Sequence, residues 1–154
     1  MNKQLSLMVK FFMLLVIPLS YLNAQIPNDC IAALTICDDS MLSLDTEGIG
    51  IQELIGTNDC GSEENNSIWL RLDIQSSGTL GFILTPNSTD MVEDYDFFVY
   101  GPNVDCGAIG KAIRCSTTNP KSANAKHNRT GMNSSEIDES EGPGSDGNSF
   151  VKEL

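Results

Sequence analysis

The chain has 154 residues, of which 21 are acidic and 9 are basic, and its formal net charge at pH 7 is -12. Nucleic acids and anionic lipid surfaces are bound through basic patches, so this balance excludes both classes of partner. A chain of this length forms one domain with a hydrophobic core of its own.

Residues 1–24 have the layout of a signal peptide. Two lysines stand in the first ten residues, and the apolar run Phe11–Leu22 follows them. A membrane-spanning helix needs about 20 apolar residues, whereas this run is shorter and is interrupted by Pro18, as is typical of a cleaved signal. Ala24 supplies the small residue before the cut. The sequence therefore predicts export through the Sec pathway, cleavage before Gln25 and no stable membrane span.

The remaining segment, 25–154, contains all five cysteines of the chain. Export places them where disulfides persist, and a chain with one histidine and no Cys-x-x-Cys pair does not favour a zinc site. The short, glycine-containing spacing of Cys106 and Cys115 predicts a local bridge between them. For the other three cysteines the favoured pair is Cys30–Cys60 with Cys37 left over, while Cys37–Cys60 and Cys30–Cys37 remain alternatives.

Two segments of alternating polarity predict the first strands. Within Ser67–Gln75 the apolar residues fall on every second position, and the same pattern recurs in Thr79–Thr85. A period of two indicates half-buried strands, and Ser76–Gly78 between them is typical of a turn. These segments predict a β-hairpin.

The aromatic segment Tyr95–Tyr100 predicts a third strand, which ends at the sequence Gly101-Pro102. Weaker strand patterns occupy Ile31–Ile36 and Ala112–Cys115, and Phe150-Val151 begins another. Short strands with Gly, Pro and Asn turns and no alternation with helices favour an all-β fold, an antiparallel, jelly-roll-like β-sandwich.

The segment from Thr117 to Asn148 is rich in Asn, Ser, Gly, Lys and Glu and contains few large apolar residues. Such a composition predicts a long surface loop at about 117–148. His127 lies within this loop, where no core would hold it rigid, so the sequence does not favour it as a catalytic base. Paired carboxylates could in principle serve a glycosidase, but the acidic residues lie in loops without the flanking aromatic platforms that would hold a sugar, and no enzyme is predicted.

Calcium is the metal that the sequence favours, since this ion takes oxygen ligands from loop carboxylates and carbonyls. Asp94 and Asp96 lie two residues apart at the start of the third predicted strand, and Asp146 lies in a flexible acidic loop. These three residues are the predicted ligands. The spacing matches no EF-hand, and unoccupied surface acid is the alternative interpretation.

Seven short motifs in order give the chain a resemblance to a known family: Asn28–Cys30, Gly48–Glu53, Asn66–Leu70, Ser77–Leu80, Asp94–Pro102, Cys106–Ser116 and Glu141–Val151. The chain resembles the N-terminal module of surface proteins of gliding Bacteroidetes, proteins whose C-termini carry a type IX secretion sorting domain. That module is similar to the bacterial pre-peptidase C-terminal domains, which are jelly-roll-like sandwiches that accompany secreted enzymes and adhesins and sometimes hold calcium.

The resemblance implies a non-catalytic module at the cell surface that serves adhesion or binds extracellular polymer, a polysaccharide or a surface protein. In such a module Trp69 and Tyr100 are the expected ligand contacts. The family continues past the strand at Phe150, so the resemblance also implies that the sandwich lacks its last strands. A structural spacer or non-functional fragment of a larger surface protein is the alternative, and an ancillary domain of a secreted hydrolase is the third.

Overall fold

The computed structural model of the chain describes residues 27–154, so the predicted signal peptide and its cleavage before Gln25 lie outside the described residues. Within these residues a short 3-10 helix, Cys30–Ala32, precedes eight strands. In chain order these are β1 Leu34–Ile36, β2 Leu70–Leu72, β3 Phe82–Leu84, β4 Phe97–Val99, β5 Arg114–Thr118, β6 Thr130–Asn133, β7 Ser140–Gly144 and β8 Phe150–Lys152. The predicted all-β class is confirmed.

Two three-stranded sheets form a sandwich-like arrangement, with the orders β3-β6-β8 and β4-β5-β7. The pairs β3–β6 and β4–β5 are antiparallel, whereas β6–β8 and β5–β7 are parallel, so the sheets are mixed rather than purely antiparallel. The core lies between them and is built on Phe97, Met132 and Val151, against which further apolar side chains pack: Leu80, Phe82, Leu84, Val99 and Leu154.

The predicted hairpin between Ser67–Gln75 and Thr79–Thr85 is wrong. Strand β2 pairs in parallel with β1, with Leu34 opposite Leu70, and β3 pairs with β6. Leu70 and Leu72 are each 41% exposed, so the alternating face of β2 does not enter the core. Phe82 in β3 packs on the core instead, because its ring contacts that of Phe97 on the other sheet. Alternating apolar and polar residues predict that a segment is a strand, but which strand it pairs with depends on where its apolar face can be buried.

The predicted long loop at 117–148 is also wrong, since β6 and β7 lie within it. Gly131 makes the close pairing of β6 with β3 possible, because a Cβ atom there would lie 2.1 Å from the carbonyl oxygen of Phe82. Asn128 is buried, and its side-chain amide donates to the carbonyl oxygens of Ser88 and Glu93, at 2.9 and 2.8 Å. Small and polar residues are therefore ordered here by close backbone contact and hydrogen bonds.

The four cysteines predicted to form disulfides all do so, but their pairing differs from the prediction. Cys30 joins Cys106 with a Cα–Cα distance of 5.5 Å, and Cys60 joins Cys115 at 6.2 Å. The local bridge Cys106–Cys115 and the pair Cys30–Cys60 are wrong, because β5 turns Cys115 into the interior, where Cys60 is also buried. Cys37 is free and exposed.

Candidate functional site

A groove of about 500 Å³ lies at the surface of the described part of the chain. One wall is the turn that contains Glu53, Gly56 and Thr57, and the other is the loop Cys106–Lys111. The lining is mostly apolar, with a single carboxylate, that of Glu53, and a single ammonium, that of Lys111. A concave, mostly apolar surface with a few polar groups is the usual form of a binding site.

The second wall is held in place by covalent and hydrogen bonds. The disulfide of Cys106 ties the loop to the 3-10 helix at Cys30. Asp105, directly before the loop, accepts two hydrogen bonds, from the amide of Ala108 to its carbonyl oxygen at 2.8 Å and from the amide of Gly107 to its side chain at 2.9 Å. The amide of Ala112 donates to the carbonyl oxygen of Thr57 at 2.7 Å, which joins the two walls. The groove is therefore built from fixed backbone.

Glu53 is the acidic group of the groove. Its Oε2 accepts a hydrogen bond of 2.9 Å from the backbone amide of Cys30. Burial raises the pKa of Glu53, the nearby charges of Glu64 and Asp29 raise it further, and the bond from Cys30 opposes them. A positive charge beside Glu53 would be favourable, because it would offset the repulsion between this carboxylate and those of Glu64 and Asp29.

Glu64 lies behind the groove and is only 5% exposed. Its Oε1 accepts from the indole Nε1 of Trp69 at 2.9 Å, and its Oε2 accepts from the backbone amide of Glu53 at 2.6 Å. The side chain of Gln52 exchanges two further bonds with the backbone of Glu64, at 2.6 and 3.0 Å. Sequence reasoning missed Glu64, since a glutamate beside Glu63 in a polar stretch carries no sign of burial.

Trp69 and Tyr100, the predicted binding residues, are brought together by the fold. Their rings stack with centroids 5.6 Å apart and an interplanar angle of 26°. The phenol oxygen of Tyr100 lies 2.9 Å from the hydroxyl of Thr57 in the groove wall. Burial raises the pKa of Tyr100, and the charges of Glu64 and Glu53 act in the same direction. The polar atoms of both rings thus have partners inside the protein, and the stack supports the groove from behind.

Asp94 and Asp96, two of the predicted calcium ligands, lie together at the start of β4. Burial raises the pKa of Asp96 to about 6, the charge of Asp94 adds to this effect, and a long hydrogen bond from Ser62 opposes it. Asp146 accepts a bond of 2.6 Å from the hydroxyl of Thr118 through its backbone carbonyl. Within residues 27–154 no three His, Cys, Asp or Glu side chains form a group that could hold a metal ion. Calcium binding stays a prediction.

His127 lies in a second hollow of about 240 Å³, which is lined by Ala123, Ala125, Lys126, Gly147 and Asn148 as well. Its ring meets that of Phe150 edge to face, with centroids 5.9 Å apart, so it is held by the start of β8 rather than by a mobile loop. Its Nδ1 is buried and has no hydrogen-bond partner among the described residues.

Comparisons with family models, with curated proteins and with solved structures found no match to this chain. In the part of the chain that the structure describes, no helix is both long enough and apolar enough to cross a membrane.

Proposed function

We propose that the chain is a secreted, non-catalytic module of the cell surface that binds a segment of an extracellular polymer in the groove between Glu53–Thr57 and Cys106–Lys111. The observation that carries the proposal is the construction of this groove, whose loop wall is tied by a disulfide and whose other wall rests on the Trp69–Tyr100 stack. Fixed walls reduce the entropy lost on binding, so a shallow groove gains affinity from them.

The proposed location rests on the disulfides and on the first residues of the chain. Two disulfides within one domain fit an oxidising compartment, and the charged and apolar pattern of residues 1–24 favours export. The motif resemblance to N-terminal modules of type IX secreted surface proteins favours the cell surface of a member of the Bacteroidetes, in an adhesive role.

The proposed roles of the aromatic residues follow from their contacts. Because Trp69 donates to Glu64 and Tyr100 contacts Thr57, both rings position the groove wall, and the ligand lies on the outer side of that wall. A spacer domain would need no such groove, so the groove supports the binding module over the spacer. An ancillary domain of a hydrolase would use the same groove to hold the substrate polymer.

The test is to screen the purified, disulfide-bonded protein against arrays of glycans and peptides, and then to block the groove. Ala108 is exposed in the loop wall, so Ala108→Trp fills the groove without disturbing the core. We expect the binding detected on the arrays to fall at least tenfold. Ala123→Trp, the same change in the second hollow, is the matched control and should bind as the wild type does. Equal binding by Ala108→Trp would contradict the proposal.

A further inference from the structure

The groove carries an excess of negative charge that the described residues do not neutralise. One oxygen of Glu53 accepts from Cys30, and the carboxylates of Glu64 and Asp29 lie close enough to repel that of Glu53. Asp29 is held in place by a bond of 2.5 Å from the amide of Ile51 to its Oδ1. Within residues 27–154 the ion pairs are Arg71–Asp73, Lys111–Asp59 and Arg114–Glu139, and none includes these three carboxylates.

Lys111 is the positive group that lines the groove, and its charge is already offset. Its Nζ lies 2.7 Å from Oδ1 of Asp59, in a pair that is exposed to solvent. Clefts with low-dielectric walls concentrate the field of the charges within them. The field in the groove is therefore set by Glu53 and its neighbours, and it attracts cations.

The rest of the lining is apolar and includes Ala108 and Ile109. A lysine or arginine side chain matches this combination, because its aliphatic stem packs on apolar surface while its head carries the charge. We infer that the groove takes a basic side chain of an extracellular protein, with the stem against Ile109 and the ammonium or guanidinium group on Glu53. This inference rests on the proposed function of the groove. A neutral polysaccharide would leave the carboxylate without a counter-charge.

The experiment is a titration of the disulfide-bonded protein with an acetylated, amidated Gly-Ser peptide that contains one lysine, and with the same peptide containing norleucine. We expect the norleucine peptide and the Glu53→Gln variant each to show binding weaker by about tenfold, the loss of one charge-assisted contact. Glutamine keeps an oxygen to accept from Cys30, so the wall is preserved. Asp45→Asn removes the same charge from an exposed site outside the groove and should leave the affinity within about twofold.

Lys111→Met gives a result of the opposite sign, since removal of a positive charge from the lining should strengthen lysine binding by about twofold. If Ala108→Trp abolishes binding while Glu53→Gln and Lys111→Met bind as the wild type does, the basic side chain is excluded and the groove function stands. If Ala108→Trp has no effect on peptide binding, the proposed function itself fails. Binding of chitosan oligomers but not of the lysine peptide would also overturn the inference, in favour of an amino polysaccharide.

Discussion

The ring of Phe82 in β3 meets the ring of Phe97 in β4 edge to face, with centroids 5.0 Å apart, and so joins the two three-stranded sheets. Phe97 is 6% exposed and lies at the centre of the core with Met132 and Val151. Edge-to-face pairs of this kind stabilise a core beyond the area that they bury. The sandwich depends on this contact because its core is small.

Phe97→Ala should therefore lower the free energy of unfolding by about 3–5 kcal/mol, through lost burial and the cavity left behind. Ile83 lies in β3 next to Phe82 but is 57% exposed, and Ile83→Ala is the control, with an expected change within about 0.5 kcal/mol. Urea unfolding of the two variants measures both values. Similar losses in the two variants would show that the core does not lie between the sheets.

Because four cysteines are paired and Cys37 is free, replacing them should have unequal effects on the free energy of unfolding. The bridges Cys30–Cys106 and Cys60–Cys115 close loops with sequence separations of 76 and 55 residues. Loops of this length lose much chain entropy in the unfolded state, so each bridge should contribute about 4 kcal/mol. The double variant Cys60→Ala/Cys115→Ala should lose this much of its free energy of unfolding, whereas Cys37→Ala should lose almost none. Non-reducing peptide mapping that recovers a Cys106–Cys115 peptide would refute the pairing.

Gly131 should not tolerate a side chain. Its φ is 156°, and a Cβ atom would lie 2.1 Å from the carbonyl oxygen of Phe82, within the β3–β6 pairing. Gly131→Ala should cost about 2–3 kcal/mol, because the strands must separate to admit the methyl group. Gly78 has open space at its Cβ position, so Gly78→Ala is the control. Thermal unfolding compares them, and equal melting temperatures would argue against β6 as an inner strand.

Asp96 should make stability depend on pH. Its pKa is about 6 in the folded protein against an ordinary value of 3.8, so the folded state binds the proton more tightly than the unfolded chain. The resulting stabilisation is complete below about pH 4 and is lost as the pH rises through about 6. By surface area Asp96 is an exposed residue, although neighbouring protein atoms raise the pKa of its carboxyl group. Solvent therefore screens its charge, and the difference should be only about 1 kcal/mol.

Asp96→Asn removes this dependence, so the variant should be more stable than the wild type at pH 7 and should lose its advantage at pH 4. Urea unfolding at both pH values measures the difference between the two proteins. Asp45→Asn, at an exposed site, controls for the loss of one negative charge. A constant difference between Asp96→Asn and the wild type across the range would show that Asp96 does not titrate in this way.

Calcium binding would also depend on the ionisation of the Asp96 carboxyl group. If the ion binds Asp94 and Asp96, with Asp146 as the next ligand, it favours the charged carboxylates and should raise the melting temperature at pH 7 in millimolar calcium. The rise should be smaller at pH 5, where Asp96 is protonated, and absent in Asp96→Asn. An unchanged melting temperature of the wild type would leave the three residues as surface acid.

The local sequence determined the all-β class and several strand positions. Aromatic and β-branched residues around Phe97–Val99 and Phe150–Lys152 predicted strands where the structure has them, because such residues favour an extended backbone whatever their partner. The same local signals could not predict that β2 pairs with β1, since alternation is compatible with any neighbouring strand. Around the candidate groove the sequence indicated only Trp69 and Tyr100, as expected ligand contacts, and in the structure the polar atoms of both rings have partners inside the protein.

Tertiary structure decided the rest. Strands β6 and β7 lie in different sheets and, apart from Met132, consist of small and polar residues of the kind that is typical of loops. Gly131 nevertheless permits close backbone pairing of β6 with β3, and the hydroxyl of Thr117 in β5 donates to the carbonyl oxygen of Cys60 at 2.8 Å. The cysteine pairs likewise depend on residues far apart in the chain. The burial of Glu64 depends on its hydrogen bonds with Trp69 and Glu53, which no local pattern of polarity indicates. The local pattern of apolar and polar residues shows which side chains of a segment can be buried. Which residues they pack against is decided only when distant segments come together in the fold.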